Sequence, residues 1–180
     1  MVAGSILPVA IKKNKLYFLF GKENPMEDSA KGWSDFGGRC ENNETPRDAA
    51  LREGSEELTG FLGNPSQIKK LMEKKGEPYV ISHNNYHVHI FLMDYDENLP
   101  MYYNNNHSFL WNKMDHQVLN DSKLFEKIEI DWFSVKDLTV RREEFRGFYR
   151  DIVDIMKKQI QHIMKFIKQS HNKTKRKSRK

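Results

Sequence analysis

Three glutamates lie close together in one short segment of the sequence and could bind a metal ion. Glu53, Glu56 and Glu57 fall at about 0°, −60° and +40° around a helix that turns by about 100° per residue, so they share one face. Like charges this close repel one another. Oxygen ligands suit hard cations such as Mg²⁺, which proteins hold with a few carboxylates plus the phosphates of a substrate. The spacing therefore predicts phosphate chemistry, with a solvated acidic face as the alternative.

The residues before the glutamates predict how they are positioned. The segment from Thr45 to Gly60 carries the signals of one helix, with Thr45 as its N-cap, Pro46 at its first helical position and Gly60 as its stop. Just upstream, Gly37 and Gly38 leave the backbone free to approach a ligand closely. A glycine pair ahead of an acidic helix is more specific than an acidic helix alone, so it favours a metal site.

The segment from Gly38 to Gly60 resembles the Nudix box. In that pattern glycine is followed after five residues by glutamate, and after seven more by R-E-U-x-E-E-x-G-U, where U is aliphatic. The residues that match the pattern at the required spacing are Gly38, Glu44, Arg52, Glu53, Glu56 and Glu57. Two departures concern how the helix packs and ends, because Gly54 occupies an aliphatic position and Gly60 comes one residue late. On these residues the chain is identified as a member of the Nudix hydrolase family.

The resemblance implies roles for the residues of the box. Glu53, Glu56 and Glu57, with a backbone carbonyl at Gly38, would hold Mg²⁺, for which Mn²⁺ could substitute. Either Glu53 or Glu57 would take the proton of the attacking water, since family members differ in this residue. Arg52 would fix the glutamates through an ion pair rather than contact the substrate.

Two further acidic residues lie near the start of the last predicted strand. Some Nudix enzymes use an acid in this region to complete the metal site or to act as the base, so the resemblance implies Glu126 or Glu129 for that role. An ordinary glutamate at a strand edge explains both residues equally well.

Aromatic residues in a long connection are candidates for substrate binding. The segment 96–121 is expected to be an irregular loop, and loops of this length are more often functional than idle. Nudix relatives place substrate selectivity in such loops. The residues nominated for base stacking are Tyr102, Tyr103, Phe109 and Trp111. Gly37 and Trp33, which lies four residues before it, are further substrate-binding candidates. Packing against the core is the alternative for each ring, and for Trp33 packing is the favoured role.

Alternating apolar residues predict the strands of the sheet. The predicted strands lie at 6–11, 16–20, 33–36, 79–82 and 86–94 and within 126–138. Helices are predicted at 45–60 and from Arg142 onward, where apolar residues recur at helical spacing, and a short helix or loop is predicted at 66–75. The resemblance implies an α/β fold, a Nudix-like α/β/α sandwich with a mixed β-sheet between the box helix and the Arg142 helix.

The positive charge of the chain is concentrated at its end. The formal net charge is +5, and residues 171–180 contain six basic residues and no acidic ones, so residues 1–170 carry a formal −1. Such a block is usually disordered and often contacts nucleic acid or serves as a nuclear address, with a partnerless solubilising tail as the alternative. We expect a Nudix hydrolase domain over 1–156, and a basic helical extension with a disordered tail over 157–180.

The composition excludes several classes of protein. A single cysteine, Cys40, allows neither an internal disulfide nor a cysteine-based zinc site. Pro8 interrupts the apolar run near the start, which argues against a signal peptide, a membrane span and a membrane partner. The expected location is intracellular and cytoplasmic, or nuclear through the basic tail, and the oligomeric state is open.

The combined expectation is a Mg²⁺-dependent hydrolase that cleaves the pyrophosphate linkage of a nucleoside diphosphate derivative, such as a nucleotide or dinucleotide. A first alternative is an mRNA-decapping Nudix hydrolase that releases a capped nucleoside diphosphate, with the tail contacting RNA. A second is a non-catalytic RNA-binding Nudix module, although binding alone would not need three clustered glutamates. Diphosphoinositol cleavage is also open, although residues 1–170 lack an obvious basic cluster.

Overall fold

The computed structural model describes residues 1–24, 31–115, 117–119 and 126–177, with side chains described as far as residue 169. Its strands are β1 (Ala3–Lys12), β2 (Lys15–Glu23), β3 (Trp33–Ser34), β4 (Phe36–Arg39), β5 (Tyr79–His83), β6 (Tyr86–Leu92) and β7 (Lys127–Ser134). Its helices are α1 (Pro46–Glu57), α2 (Pro65–Glu73), α3 (Leu99–Lys113), α4 (Asp137–Val140) and α5 (Tyr149–Lys177), and a 3₁₀ turn spans Arg142–Glu144.

Strand β1 is the centre of the sheet, which has seven strands within the described residues. It pairs in parallel with β6 along one edge. Along its other edge it pairs antiparallel with β4 at its start and with β2 at its end. Strand β2 continues away from β1 and pairs with β3 and β7. Strands β3 and β4 therefore follow one another between β2 and β1, and they lead the chain directly into α1.

Helices cover both faces of this mixed sheet. On one face α5 packs on a core that includes Phe18, Phe133 and Ile152. On the other face α1 and α2 pack on a core that includes Ile6, Leu51 and Ile68. This arrangement confirms the predicted α/β/α sandwich. Within the described part of the chain, no helix is long and apolar enough to cross a membrane.

The predicted strands are present with shifted bounds, the one predicted at 33–36 as the two strands β3 and β4, and the hairpins have a simple local cause. Lys13 and Asn14 join β1 to β2 with φ of 48° and 62°, and Asn84 and Asn85 join β5 to β6 with φ of 47° and 63°. Two consecutive residues with positive φ match the right-handed twist of the flanking strands, and asparagine tolerates this conformation well.

The prediction of an irregular loop at 96–121 is wrong over α3. Pro100 lies in the first turn of this helix, where a missing N–H costs nothing. Leu99, Tyr103 and His107 recur every four residues and are all buried, so they form the inner face of the helix. The run of asparagines that suggested a loop belongs to the same helix.

The last helix begins at Tyr149 rather than at Arg142. Phe145 adopts an extended conformation, with φ of −76° and ψ of 152°, and Arg146 donates its N–H to the Trp33 carbonyl at 3.0 Å. Beyond this junction α5 packs on the sheet as far as Ile167, which is fully buried. The described backbone is helical through Lys177, and the predicted disordered tail stays a prediction. The division of the chain at residue 156 stays a prediction.

Two glycines let α1 lie directly on β1. A Cβ at Gly54 would lie 2.4 Å from Ile6 Cδ1, so β1 supplies the aliphatic group that the Nudix pattern expects on the helix. A Cβ at Gly4 would lie 1.7 Å from the Pro46 carbonyl oxygen at the start of α1. Both residues are therefore required to be small for the helix to lie where it does.

Replacing Gly4 with alanine should destabilise the protein, because the new methyl group meets backbone rather than a flexible side chain. We expect Gly4→Ala to lower the free energy of unfolding by about 1–3 kcal/mol, the usual cost of overpacking. Urea-induced unfolding followed by circular dichroism measures the change.

Gly147→Ala is the matched control, because a Cβ there meets nothing within 4 Å. Its effect should stay within about 0.5 kcal/mol. Equal stability of the two variants would contradict the close approach of α1 to β1.

Candidate active site

The start and end of α1 are fixed by local interactions. The Thr45 hydroxyl accepts the Asp48 N–H at 3.2 Å, and the Asp48 carboxylate accepts the Thr45 N–H at 3.3 Å, which forms a capping box. Beyond the helix, Thr59 and Gly60 have φ of 46° and 76°. The residue that is additional to the Nudix pattern is therefore absorbed after the last glutamate, and the spacing of the glutamates is preserved.

Arg52 holds two of the box residues at once. Its Nε and Nη2 donate to the two carboxylate oxygens of Glu44 at 2.8 and 2.9 Å, and its Nη1 donates to Glu53 at 2.8 Å. Glu56 is a more distant partner at 3.4 Å. The hydrogen bonds from Arg52 lower the pKa of Glu44 to about 2. The ion pair predicted for Arg52 is thus present, and it fixes Glu53 from the side.

Glu57 is buried at the end of α1, with an exposed fraction of 6%. Its Oε2 accepts the Gly37 N–H at 2.8 Å, and its Oε1 lies 3.4 Å from Lys127 Nζ. Burial raises the pKa of Glu57 well above its usual value, and the neighbouring Lys127 ammonium acts in the opposite direction. The carboxylate of Glu57, the last of the three glutamates, is therefore held between the backbone amide of Gly37 and the buried Lys127 ammonium group.

Lys127 connects Glu57 to a second buried carboxylate. Its ammonium group, 1% exposed, donates to Glu23 and, at 2.8 Å, to Ser34 Oγ. Arg146 also donates to Glu23, at 2.6 Å. Burial alone would lower the pKa of Lys127, but the Glu57 and Glu23 carboxylates outweigh this and raise it, so the lysine stays charged. Two cations and two carboxylates thus balance one another in this cluster, the Lys127 cluster.

Sequence reasoning missed this cluster, although it contains four charged residues. Glu23 and Lys127 lie opposite one another where β2 pairs with β7, so the signal was two opposite charges at facing strand ends. That signal cannot be recognised before the pairing of the strands is known.

Asp35 is the centre of a second group of buried polar side chains, separate from the Lys127 cluster. It lies between β3 and β4 and accepts hydrogen bonds from Ser5 Oγ and, at 2.6 Å, from the Tyr86 hydroxyl. Burial raises the pKa of Asp35 to about 6, although these hydrogen bonds act to lower it. Because Ser5 belongs to β1 and Tyr86 to β6, Asp35 ties three parts of the sheet together two residues before Gly37.

The oxygens of Glu53 and Glu57 both lie against the glycine pair. A Cβ at Gly38 would lie 2.4 Å from the carboxyl carbon of Glu53, while Glu57 accepts the Gly37 N–H. A set of carboxylate and carbonyl oxygens suits a hard divalent cation, which would also offset the buried charge of Glu57. These residues therefore fit Mg²⁺.

The third glutamate of the predicted metal site lies apart from this arrangement. The side chain of Glu56 is 60% exposed. Among the described residues, no three acidic, histidine or cysteine side chains converge closely enough to enclose an ion. The reason is that Arg52 and Lys127 already attract the carboxylates. Glu53 and Glu57 therefore lie at the glycine pair and Glu56 faces solvent, while the assignment of all three glutamates as metal ligands stays a prediction.

Two of the rings predicted to bind substrate are buried. Tyr103 is 2% exposed, and its hydroxyl donates to the carbonyls of Glu57 and Lys127 at 2.8 and 2.9 Å. Trp33 is also 2% exposed and packs on Phe133 with the ring centroids 4.9 Å apart. Neither ring can present a face to a base, so the base-stacking prediction for Tyr103 is wrong, whereas Trp33 has the packing role that was favoured for it. Tyr103 instead joins α3 to the Lys127 cluster.

The other residues predicted to bind substrate or to act as the base are at least partly exposed to solvent. Tyr102 is 57% exposed and Trp111 stacks on His107 at 6.1 Å, both on α3. Glu129 lies 3.5 Å from Lys22, and its side chain is 41% exposed. Glu126 directly precedes β7. Roles for these residues in substrate binding or as the base stay predictions.

Removing the ammonium group of Lys127 should destabilise the protein strongly. Lys127→Met leaves Glu57 without its cation and Glu23 with only Arg146, and breaking a buried ion pair typically costs about 3–5 kcal/mol. The free energy of unfolding in urea measures this loss.

Lys12→Met is the matched control, because it breaks an ion pair with Glu97, whose side chain is 65% exposed. Exposed pairs are worth about 1 kcal/mol or less. A Lys127→Met variant as stable as Lys12→Met would contradict the charge balance assigned to the cluster.

Comparison with known proteins identifies the family to which the chain belongs. The family model of the NUDIX domain matches residues 5–154. Among solved structures, a C. elegans Ap4A hydrolase in a binary complex has a TM-score of 0.53 at 13% identity, covering 89% of this chain and 97% of that one. A Nudix hydrolase from M. smegmatis, RenU, has a TM-score of 0.51 at 12% identity, covering 91% and 88%. No curated protein matches the sequence.

The match of the family model covers most of the chain and includes every residue of the box. The solved structures share the fold at low identity. With the box glutamates held at the glycine pair of an α/β/α sandwich, the chain belongs to the Nudix family of pyrophosphohydrolases.

Proposed function

We propose that the protein is a Mg²⁺-dependent hydrolase that cleaves the pyrophosphate linkage of a nucleoside diphosphate derivative. The observation that supports this best is the placement of Glu53 and Glu57 against the backbone of Gly37 and Gly38. Two carboxylates beside two residues without side chains supply the oxygens that a hard cation prefers. Mn²⁺ should substitute for Mg²⁺.

The residues of the site have different roles in the proposed reaction. Glu53, Glu56, Glu57 and the Gly38 carbonyl would hold the cation, which when bound offsets the charge of the diphosphate and makes the attacking water more acidic. Arg52 keeps Glu53 in place, and Lys127 does the same for Glu57. Glu53 or Glu57 takes the proton of the water as its oxygen attacks phosphorus, and the bond to the bridging oxygen breaks on the opposite side. Glu56 faces the solvent side of this site.

A small nucleotide or dinucleotide is the substrate class we favour. The C. elegans neighbour is by its name an Ap4A hydrolase, so dinucleoside tetraphosphates belong in a substrate panel with nucleoside triphosphates and ADP-ribose. The likeness to that structure concerns the fold, and the panel decides the substrate.

Neutralising the box carboxylates should abolish most of the turnover. We expect Glu53→Gln and Glu57→Gln to lower kcat by about 10²–10⁴-fold at saturating Mg²⁺, because each removes a charge needed for cation or proton binding. Steady-state hydrolysis of the panel, with and without EDTA, measures the effect.

Glu97→Gln, which neutralises a glutamate with a 65% exposed side chain, is the control and should retain wild-type kcat. Full turnover by both site variants would refute the assignment of the carboxylates.

Capped RNA is a second candidate substrate because of the basic end of the chain. The residues that could contact RNA phosphates are Lys173, Lys175, Arg176, Lys177, Arg179 and Lys180. A nuclear location would have the same basis.

Deleting residues 171–180 tests this second candidate. If RNA is the substrate, the deletion should weaken capped-RNA binding and reduce the slope of log K against log salt by about 0.7 for each phosphate that the tail neutralises. Hydrolysis of the small substrates should be unchanged. Identical RNA affinity and salt slope for both proteins would exclude a contribution of the tail.

A further inference from the structure

A cleft of about 320 Å³ opens at one end of the sheet, on the side covered by α5. Its walls come from four parts of the chain: Met1 and Ala3, the end of β4 at Arg39, the turn between β5 and β6 at Asn84 and Asn85, and the start of α5 at Phe148 and Asp151. Ligand pockets in proteins typically measure about 300–1,000 Å³. The cleft can therefore hold one base with its ribose, but not a dinucleotide.

Arg39, the first residue after the glycine pair, lines the cleft. Gly38 faces Glu53 on the α1 side of β4, and because successive residues of a strand point to opposite faces, Arg39 points to the α5 side. The Arg39 carbonyl also accepts a hydrogen bond from Arg52 at 3.1 Å. β4 pairs with β1 along one edge, and no other described strand pairs with it. Gly38 and Arg39 are therefore neighbouring residues of β4 that face the glutamates and the cleft, respectively.

The groups that line the cleft match the parts of a nucleoside. Phe148 is 48% exposed, and Tyr86 packs on its ring edge-to-face with the centroids 5.6 Å apart. The Tyr86 hydroxyl donates a hydrogen bond to Asp35, which fixes this contact. The Arg146 guanidinium lies over the Phe148 ring, 4.9 Å from its centroid, so a base would stack on the opposite face. Asn84 and Asn85 also line the cleft, and an amide side chain can both donate and accept hydrogen bonds, as the edge of a nucleobase does.

The charges of the cleft give the ligand an orientation. Arg39 is exposed and forms no ion pair with any described residue, and it lies at the end nearest the glycine pair. Asp151, at the other wall, lies 3.8 Å from His83. A phosphate would therefore be attracted to the β4 end, and the neutral base to the Phe148 end.

We propose that this cleft binds the nucleoside of the substrate, with the base stacked on Phe148 and the adjacent phosphate at Arg39. The proposal rests on the proposed function, because it takes the diphosphate at Gly37 and Gly38 as the reacting part of the same molecule. It places base recognition on the α5 side of the sheet, whereas the sequence nominated exposed rings of α3, such as Tyr102.

Binding of AMP to full-length protein in EDTA tests the cleft without any turnover. Equilibrium dialysis should show that Phe148→Ala weakens AMP binding by about tenfold, within the range expected for one stacked base. Phe148→Tyr keeps the ring and should stay within about twofold of wild type, since either aromatic face can stack on a base. Ribose 5-phosphate, which lacks the base, should bind wild type and Phe148→Ala equally.

Val80→Ala is the control, because it removes an equally exposed apolar side chain, 47% exposed, from β5 outside the cleft. It should bind AMP like wild type. If Phe148→Ala also binds AMP like wild type, or if Tyr102→Ala weakens binding instead, the assignment of the cleft is wrong.

Kinetics separate this proposal from the proposed function. With any substrate of the panel that is hydrolysed, Phe148→Ala and Arg39→Ala should raise KM by about tenfold while kcat stays within about twofold, the signature of weaker substrate binding away from the reacting atoms. Hydrolysis with an unchanged KM in both variants would overturn the cleft and leave the proposed function standing. A protein that hydrolyses nothing but has a lower AMP affinity in Phe148→Ala would support the cleft and refute the proposed function.

Discussion

The ammonium group of Lys127 is the interaction on which the rest of the site depends. It lies between Glu57 of α1 and Glu23 of β2, and the backbone carbonyl of the same lysine accepts the Tyr103 hydroxyl from α3. A buried carboxylate without a partner is costly, so the glutamate that ends the Nudix box can be buried only because this cation accompanies it. The sheet, the box helix and α3 are thereby joined at one point.

Close packing by small residues completes this arrangement. Gly4 and Gly54 bring α1 onto β1, and Gly38 leaves room for the Glu53 carboxylate on β4. The functional consequence is that Glu53 and Glu57 flank a strand edge that carries no side chain at Gly38. On the opposite face of β4, Arg39 lines a cleft that also contains the exposed ring of Phe148.

The sequence was sufficient for features that depend on local order, and insufficient for those that depend on tertiary pairing. The box helix followed from Thr45, Pro46 and the glutamate spacing, and the strands from their alternating apolar residues, because nearby residues determine these structures. The Lys127 cluster needed the pairing of β2 with β7. Helix α3 was missed because its asparagines resemble a loop, and the burial of Tyr103 could not be inferred without that helix.

The binding of Mn²⁺ to the full-length protein, followed by electron paramagnetic resonance in the absence of substrate, tests the central claim most directly. The account predicts that wild type binds Mn²⁺ and that Glu57→Gln weakens this binding by at least about tenfold. Glu97→Gln should bind Mn²⁺ like wild type. Equal affinity in all three proteins, with Glu57→Gln folded, would contradict the placement of a divalent cation at the glycine pair.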